Sequence, residues 1–436
     1  MLSRNLGDKM NFDECMNYIG SYSRLGKKVT DLSRAAELME RVGNPQNDLK
    51  FVHIAGTNGK GSTLEYIANA LIISGYKTGE FTSPYVTHFT DRIRINSAEI
   101  DEKSLGEICE FVRERVAERE YSQFEITMAI AMLWYKREKC DVVVLEAGIG
   151  GLLDSTNVIP SPLLSVITSV SLDHTSILGN TVEEIAVQKA GIIKKKSITV
   201  LSMDNEKSVT NIIRRTAGKK GSFFVQPLSC NLKYLSSDSD GVRFIYKKKE
   251  YKTAMAGSFQ MYNAVTAIES CWYLRTVWGF KISDENIKKS ISNARVKARA
   301  QYIDGNPPVI VDGGHNPSGI TAFSQLILSE RYQGRKIYTV MGMSGTKDYH
   351  QCVIQITAVS DMIFFVDDFT ENCVSAQILA DIAGKYIPAE ACILTEALEK
   401  SKRLARENNG IVVVCGSLYL ASSYLNKNTG NNITNN

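Results

Sequence analysis

The sequence predicts an α/β protein in two domains, each organised around parallel strands joined by helical crossovers. Three observations predict it. Short runs of β-branched residues alternate with helical stretches; the rhythm halts and restarts near residue 299; and 436 residues exceed what one hydrophobic core ordinarily organises.

In chain order, FVHIAG (51–56), DVVVLEAG (141–148), LLSVITSV (163–170) and SITVLSM (197–203) read as buried parallel strands. A further strand is expected near 78–82, and helices over STLEYIANALIISGY (62–76) and ITMAIAMLWYKREK (126–139). Thr181 and Glu184 form a capping box that opens a helix ending at Gly191. Residues 205–256 are rich in β-like and turn residues, predicting a hairpin excursion at the edge of the first domain. The junction falls in SNARVKARAQ (292–301), dividing the chain into 1–297 and 298–425. Beyond it, PPVIVDGG (307–314), RKIYTVMGM (335–343), MIFFVDD (362–368), ACILTEA (391–397) and GIVVVCGS (410–417) supply the second set of strands. NKNTGNNITNN (426–436) is too polar to bury anything and is expected to be disordered.

Composition narrows the function classes. With 51 Lys+Arg against 47 Asp+Glu, the net charge of +4 argues against nucleic-acid or membrane-surface partners. No apolar run approaches the roughly 18 residues a membrane-spanning helix requires, and MLSRNLGDKMNFDEC lacks a signal-peptide core. Nine cysteines stand singly, without a C-x-x-C pair, which fits reduced thiols in a cytoplasm. A cytoplasmic enzyme is expected.

AGTNGKGST (55–63) carries the chemistry. Gly56, Gly59 and Gly61 free the backbone to turn N–H groups of Thr57, Asn58 and their neighbours toward an anion. Lys60 adds a point charge, Ser62 a hydroxyl for a metal shell, and the following helix its positive end. The usual phosphate loop has a glycine five residues before its G-K pair. Ile54 stands there instead, so this loop is a shorter variant.

Around that loop the chain resembles the folylpolyglutamate synthase and dihydrofolate synthase family, a branch of the Mur ligases. The likeness rests on VGNPQNDLKFVHIAGTNGKGST, TSPY with DRIRIN (82–96), FEITMAIA (124–131), LEAGIGGLLDSTNV (145–158), ITSVSLDHTSILGNT (167–181), QKAGIIK (188–194), VDGGHNP (311–317) and GSLYL (416–420), in the family's order and spacing. The resemblance implies a phosphate-loop ATPase domain on a mostly parallel sheet, followed by a smaller Rossmann-like domain that carries the incoming amino acid. It implies ATP-driven addition of L-glutamate to the glutamyl chain of tetrahydrofolate through an acyl phosphate, with dihydropteroate as a further acceptor. Magnesium, with manganese as an alternative and potassium as a further cation, would serve it, and the family suggests a monomer.

Residue by residue, the resemblance makes Glu146, His174, Ser83 and Ser62 metal ligands, and Lys189 a carbamylated lysine that joins them. Carbamylation requires a neutral amine, and so a pocket that lowers the lysine's pKa. Lys60 and the loop take the phosphates with Arg299; the adenine and ribose lie between the two domains near Asn263, and Asp312, with His315 in the same loop, contacts the nucleotide from the C-terminal side. Position alone leaves other roles open: Glu146 at the end of VVVL could pair with a Lys or Arg, Lys189 could be a solvated helix lysine, and Ser83 an ordinary loop serine.

Departures from the family pattern fall at substrate-facing and interdomain positions. Leu152 replaces an arginine in GGLLDSTN, Phe259 a histidine in GSFQ, and Tyr85 a histidine after Ser83-Pro84. Lys297-Ala298-Arg299 keeps only the arginine of proline-glycine-arginine. Loss of an arginine removes a bidentate anion contact. Two other readings therefore stay open: a ligase of the same chemistry acting on a non-folate carboxylate, and a nucleotide-binding module without turnover.

Overall fold

The computed structural model describes residues 10–23, 30–116, 121–238, 241–329 and 332–428. Among them eight strands form the first sheet: β1 (Phe51–Ala55), β2 (Thr78–Phe81), β3 (Ile93–Ile95), β4 (Ala98–Glu99), β5 (Val142–Glu146), β6 (Leu164–Ile167), β7 (Ile198–Leu201) and β8 (Phe223–Val225). Their order is β4-β3-β2-β5-β1-β6-β7-β8. Strands from β2 to β8 run parallel, whereas β3 and β4 close one edge antiparallel.

Every residue of β1 and β5 is buried because helices cover both faces. Val52, Ile54, Val142 and Val144 pack against Leu64 and Ile67 of helix Lys60–Ile73 and Val265 of helix Phe259–Thr276. Phe51, Val143 and Leu145 point the other way, toward Ile126 and Ile130 of helix Gln123–Arg137. Each such fully buried side chain contributes about 1.5–3 kcal/mol. The register sets Ile54 beside Glu146 and Ala55 beside Ile167, so the loops leaving β1, β5 and β6 emerge together at one sheet edge.

A three-stranded antiparallel sheet follows: β9 (Leu232–Asp238), β10 (Gly241–Tyr246) and β11 (Lys249–Lys252), in the order β11-β10-β9. Its Val242, Phe244, Tyr246 and Tyr251 join the first core. The third sheet contains β12 (Gln301–Ile303), β13 (Val309–Val311), β14 (Ile337–Met341), β15 (Met362–Phe365), β16 (Ala389–Ala391) and β17 (Ile411–Cys415). Its order is β12-β13-β17-β14-β15-β16, with only β12 antiparallel. The molecule is thus α/β, with a large, mostly parallel N-terminal sheet and a second C-terminal α/β body.

Several expectations shift. Residues 205–256 are not a hairpin throughout: helix Lys207–Lys220 and β8 complete the main sheet first. Val209, Ile213 and Ala217 recur there at helical spacing, a period masked by flanking lysines and serines. The strand expected at 391–397 ends at Ala391, and helix Leu394–Glu407 begins almost at once. Leu394, Ala397, Leu398, Ser401 and Ala405 form its buried stripe, and the Asp368 carboxylate accepts the Leu394 N–H. Helix Lys60–Ile73 starts two residues before the expected Ser62. Asn426–Asn428 of the expected disordered tail belong to helix Leu418–Asn428, and 429–436 lie outside the described residues.

Candidate functional site

The site starts where β1 runs into helix Lys60–Ile73. Gly59 is the N-cap with φ +85°, and a Cβ there would lie 2.2 Å from the Asn263 Oδ1 atom. Only glycine permits both the left-handed turn and that approach. No side chain caps this helix, so its first-turn N–H groups face outward unclaimed by a side-chain acceptor. The loop is braced from behind: Thr57 donates its N–H to Ser169 O at 2.7 Å and its hydroxyl to Ser171 O at 3.0 Å.

Lys60 folds back over the loop. Its Nζ donates to Thr57 O at 3.3 Å and stands 3.7 Å from Glu146 Oε1. Glu146, 4% exposed at the end of β5, also accepts the Ser83 N–H at 3.4 Å. Burial pushes its carboxyl up, against the pull of Lys60 and Arg299. Ser62 is buried, and its Oγ accepts from Gln260 Nε2 at 3.2 Å; Gln260 in turn accepts from Asn263. The phosphate loop, a strand-end carboxylate and two hydroxyl side chains therefore share one edge of the sheet.

The opposite wall comes from the C-terminal body. Asp312, just after β13, accepts the Ala300 and Gly314 N–H groups at 2.8 and 2.7 Å. Burial raises its carboxyl, and Arg299 opposes that rise. The charge of Arg299 thus acts on both Glu146 and Asp312, from a segment whose flanking Ala298 and Ala300 sit at φ +54° and +48°. His315 donates from Nδ1 to Gly313 O at 2.9 Å, since a carbonyl can only accept. Asn58 of the loop donates to Asn316 Oδ1 at 3.2 Å and Ser318 Oγ at 2.8 Å, so the two bodies meet directly at the phosphate loop.

His174 and Lys189 lie on the β6 side. His174 caps the short helix Thr175–Leu178 at φ +48°, and burial, then Lys347, lowers its pKa to about 4. Its Nε2 lies 3.1 Å from Lys347 Nζ. Lys189 is 3% exposed on helix Val182–Ala190, which carries the expected Thr181/Glu184 capping box. Burial, reinforced by the charge of Lys60, brings its ammonium down to about 7. It is therefore no solvated helix lysine.

A family model described as the Mur ligase middle domain matches residues 54–271, and one described as the Mur ligase glutamate ligase domain matches 298–418. A Bacillus subtilis (strain 168) protein named dihydrofolate synthase/folylpolyglutamate synthase is 32% identical over 94% of this chain and 97% of its own length. The chain belongs to the folylpolyglutamate synthase/dihydrofolate synthase family of Mur ligases. Two solved structures share its fold across almost the whole chain. The apo form of L. casei FPGS is 28% identical, with TM-score 0.82, covering 97% of this chain and 100% of that one. An FPGS–AMPPCP complex is 27% identical, with TM-score 0.81 and the same coverages.

In this synthase-family chain the structure also brings in residues that sequence reasoning passed over. Asp173 is a hub: it accepts from Lys347 Nζ at 2.6 Å and Asn316 Nδ2 at 3.0 Å, with His315 Nε2 3.7 Å away. Burial alone would raise its carboxyl, but His315 and Lys347 outweigh burial and hold it well below the usual range. Asp173 adjoins His174 in the motif, which marked its neighbourhood, but Lys347, in the loop after β14, carries no local signal of its pairing with Asp173. Arg92 is the other omission. Its guanidinium lies 5.7–6.0 Å from the ring centres of Phe81, Tyr85, Phe89 and Phe124, and it donates to Ser83 Oγ at 3.4 Å. Here the Tyr85 departure supplies an aromatic face to a buried cation.

Glu146, Ser83 and Ser62 are hard oxygen donors with too few ligands to enclose an ion. That set fits magnesium, which keeps waters and substrate phosphates in its shell. His174, by contrast, hydrogen-bonds Lys347 and none of the other expected ligands.

Proposed function

We propose that this chain is an ATP-dependent ligase that adds L-glutamate to the glutamyl chain of a reduced folate, with dihydropteroate as a second acceptor. One observation carries the reading: an uncapped helix start with Lys60 lies 3.7 Å from the buried Glu146, facing a second body across Arg299 and Asp312. Family membership, the relatives' names and the AMPPCP complex of a 27% identical neighbour support it. Domains of 1–297 and 298–425 accord with a β12 that starts at Gln301, after helix Asp284–Asn293.

The chemistry follows. The folate carboxylate attacks the terminal phosphorus of ATP and ADP leaves, which gives an acyl phosphate. The glutamate amine then attacks the acyl carbon, and phosphate departs from a tetrahedral intermediate. Lys60 and the loop N–H groups of Asn58, Gly59, Gly61 and Ser62 neutralise and align the phosphates, whereas the Thr57 N–H, expected among them, is taken by Ser169 O and steadies the loop instead. Glu146, Ser83 and Ser62, with His174 and a carbamylated Lys189, would hold magnesium, which supplies charge neutralisation between two anions. Asn263, beside the loop at Gly59, would hold the nucleotide from the first body, and Arg299, Asp312 and His315 would hold it from the opposite side, so closing the two bodies shields the acyl phosphate from water. Arg92 holds the Ser83 hydroxyl in place.

Purified chain with ATP, magnesium, glutamate and either tetrahydrofolate or dihydropteroate tests the reading. Phosphate release and a product heavier by one glutamyl unit are expected with a folate acceptor. Turnover only with another acid would reassign the substrate, and nucleotide binding without turnover would end the ligase reading.

A further inference from the structure

We infer that the Lys347 ammonium occupies a cation position between Asp173 and His174, and that it and a divalent cation are alternative occupants. The inference rests on the proposed role of His174 as a metal ligand.

Lys347 lies beyond β14 in the C-terminal body, and its side chain, 10% exposed, crosses to the N-terminal body. There Nζ lies 2.6 Å from Asp173 Oδ1 and 3.1 Å from His174 Nε2. An ammonium has donors only, so this contact engages the Nε2 lone pair, the same electrons a metal would take. Asp173 Oδ2 and His174 Nε2 are 4.0 Å apart. Metal–ligand bonds of about 2.0–2.2 Å let one ion reach two atoms at that separation. The carboxylate would stay in place after Lys347 left, because Asn316 Nδ2 holds its Oδ2 at 3.0 Å.

Lys60 repeats the arrangement at another expected ligand, standing 3.7 Å from Glu146 Oε1. Two carboxylates at the site are thus each covered by a lysine on a flexible four-carbon stem. Free metal must then displace a bound cation. A metal–triphosphate complex brings phosphate charge that the displaced lysines can join, so metal and nucleotide would enter together.

The test measures Mn²⁺ alone binding to the full chain, by calorimetry and by loss of the free-ion paramagnetic signal. Lys347→Met keeps the stem and removes the charge, and about tenfold tighter Mn²⁺ binding than in the unmodified chain is expected, since a contacting like charge is gone. His174→Ala in that background should abolish the gain. Equal or weaker Mn²⁺ binding by a folded Lys347→Met chain overturns the competition while leaving the ligand role of His174 standing. If His174→Ala changes nothing, that role and this inference fall together. Should Lys347→Met not fold, amine acylation of the unmodified chain decides: Mn²⁺ should raise Lys347 labelling several-fold, and unchanged labelling overturns the inference.

Discussion

Lys189 offers the sharpest quantitative expectation. Its ammonium falls from 10.5 to about 7, chiefly because the side chain is 3% exposed. At about 1.4 kcal/mol per pH unit, charging it inside the protein costs about 5 kcal/mol more than in water. At pH 7.5 about three-quarters of Lys189 is then neutral, against about one in a thousand for an ordinary lysine. A neutral amine attacks carbon dioxide, forms the N–C bond and sheds a proton, so Lys189 starts with a several-hundredfold larger reactive pool. Adding ¹³C-bicarbonate to folded protein should place one carbamate carbon on Lys189, seen by NMR and lost in Lys189→Arg. The sign for unmodified lysine is fixed too. Between pH 7 and 10.5 the unfolded chain binds the extra proton, so stability should climb with pH across that window. No ¹³C label at Lys189 from pH 7 to 8.5 under saturating bicarbonate would refute the reasoning.

Other perturbations have equally definite outcomes. His53 is fully buried, with its Nε2 2.9 Å from Thr156 Oγ1, and burial lowers its pKa to about 3. Its contribution is present above pH 6.5 and lost as pH falls toward 3. Urea melts at pH 5 should show about 2 kcal/mol less stability from this residue than at pH 7, a slope that His53→Gln flattens. Gly59→Ala must place a Cβ against Asn263 Oδ1 at positive φ, so calorimetry should show ADP affinity falling by tenfold or more while the melting temperature moves little. Glu146→Ala and Lys60→Ala should each lower turnover by about 10²-fold or more in the phosphate-release assay. Arg94 bridges Glu65 at 2.8 Å and the fully buried Glu80 at 2.9 Å. Arg94→Met leaves those carboxylates uncompensated and should cost about 3–5 kcal/mol in chemical denaturation.

Much of this was legible in the sequence because the parallel strands are buried on both faces. Four apolar residues in a row, VVVL, announced β5, and Glu146 at its end marked the site edge. The capping box at Thr181 and Glu184 was visible for the same local reason. Helix Lys207–Lys220 was not, since only one buried residue per turn breaks its polar surface. Nor could sequence reveal the Asp173 hub. Lys347 lies 174 positions away, and only the meeting of two separately folded bodies brings it there.

The amides joining Asn58 to Asn316 and Ser318 carry one more implication. The first 297 residues contain a whole eight-stranded sheet and its cores, yet their nucleotide loop leans on side chains that a truncated polypeptide would lack. A scissor placed at the interdomain segment would respect the architecture and still sever the working part. Two co-expressed halves should regain ligase output only to the extent that this small polar suture re-forms between them.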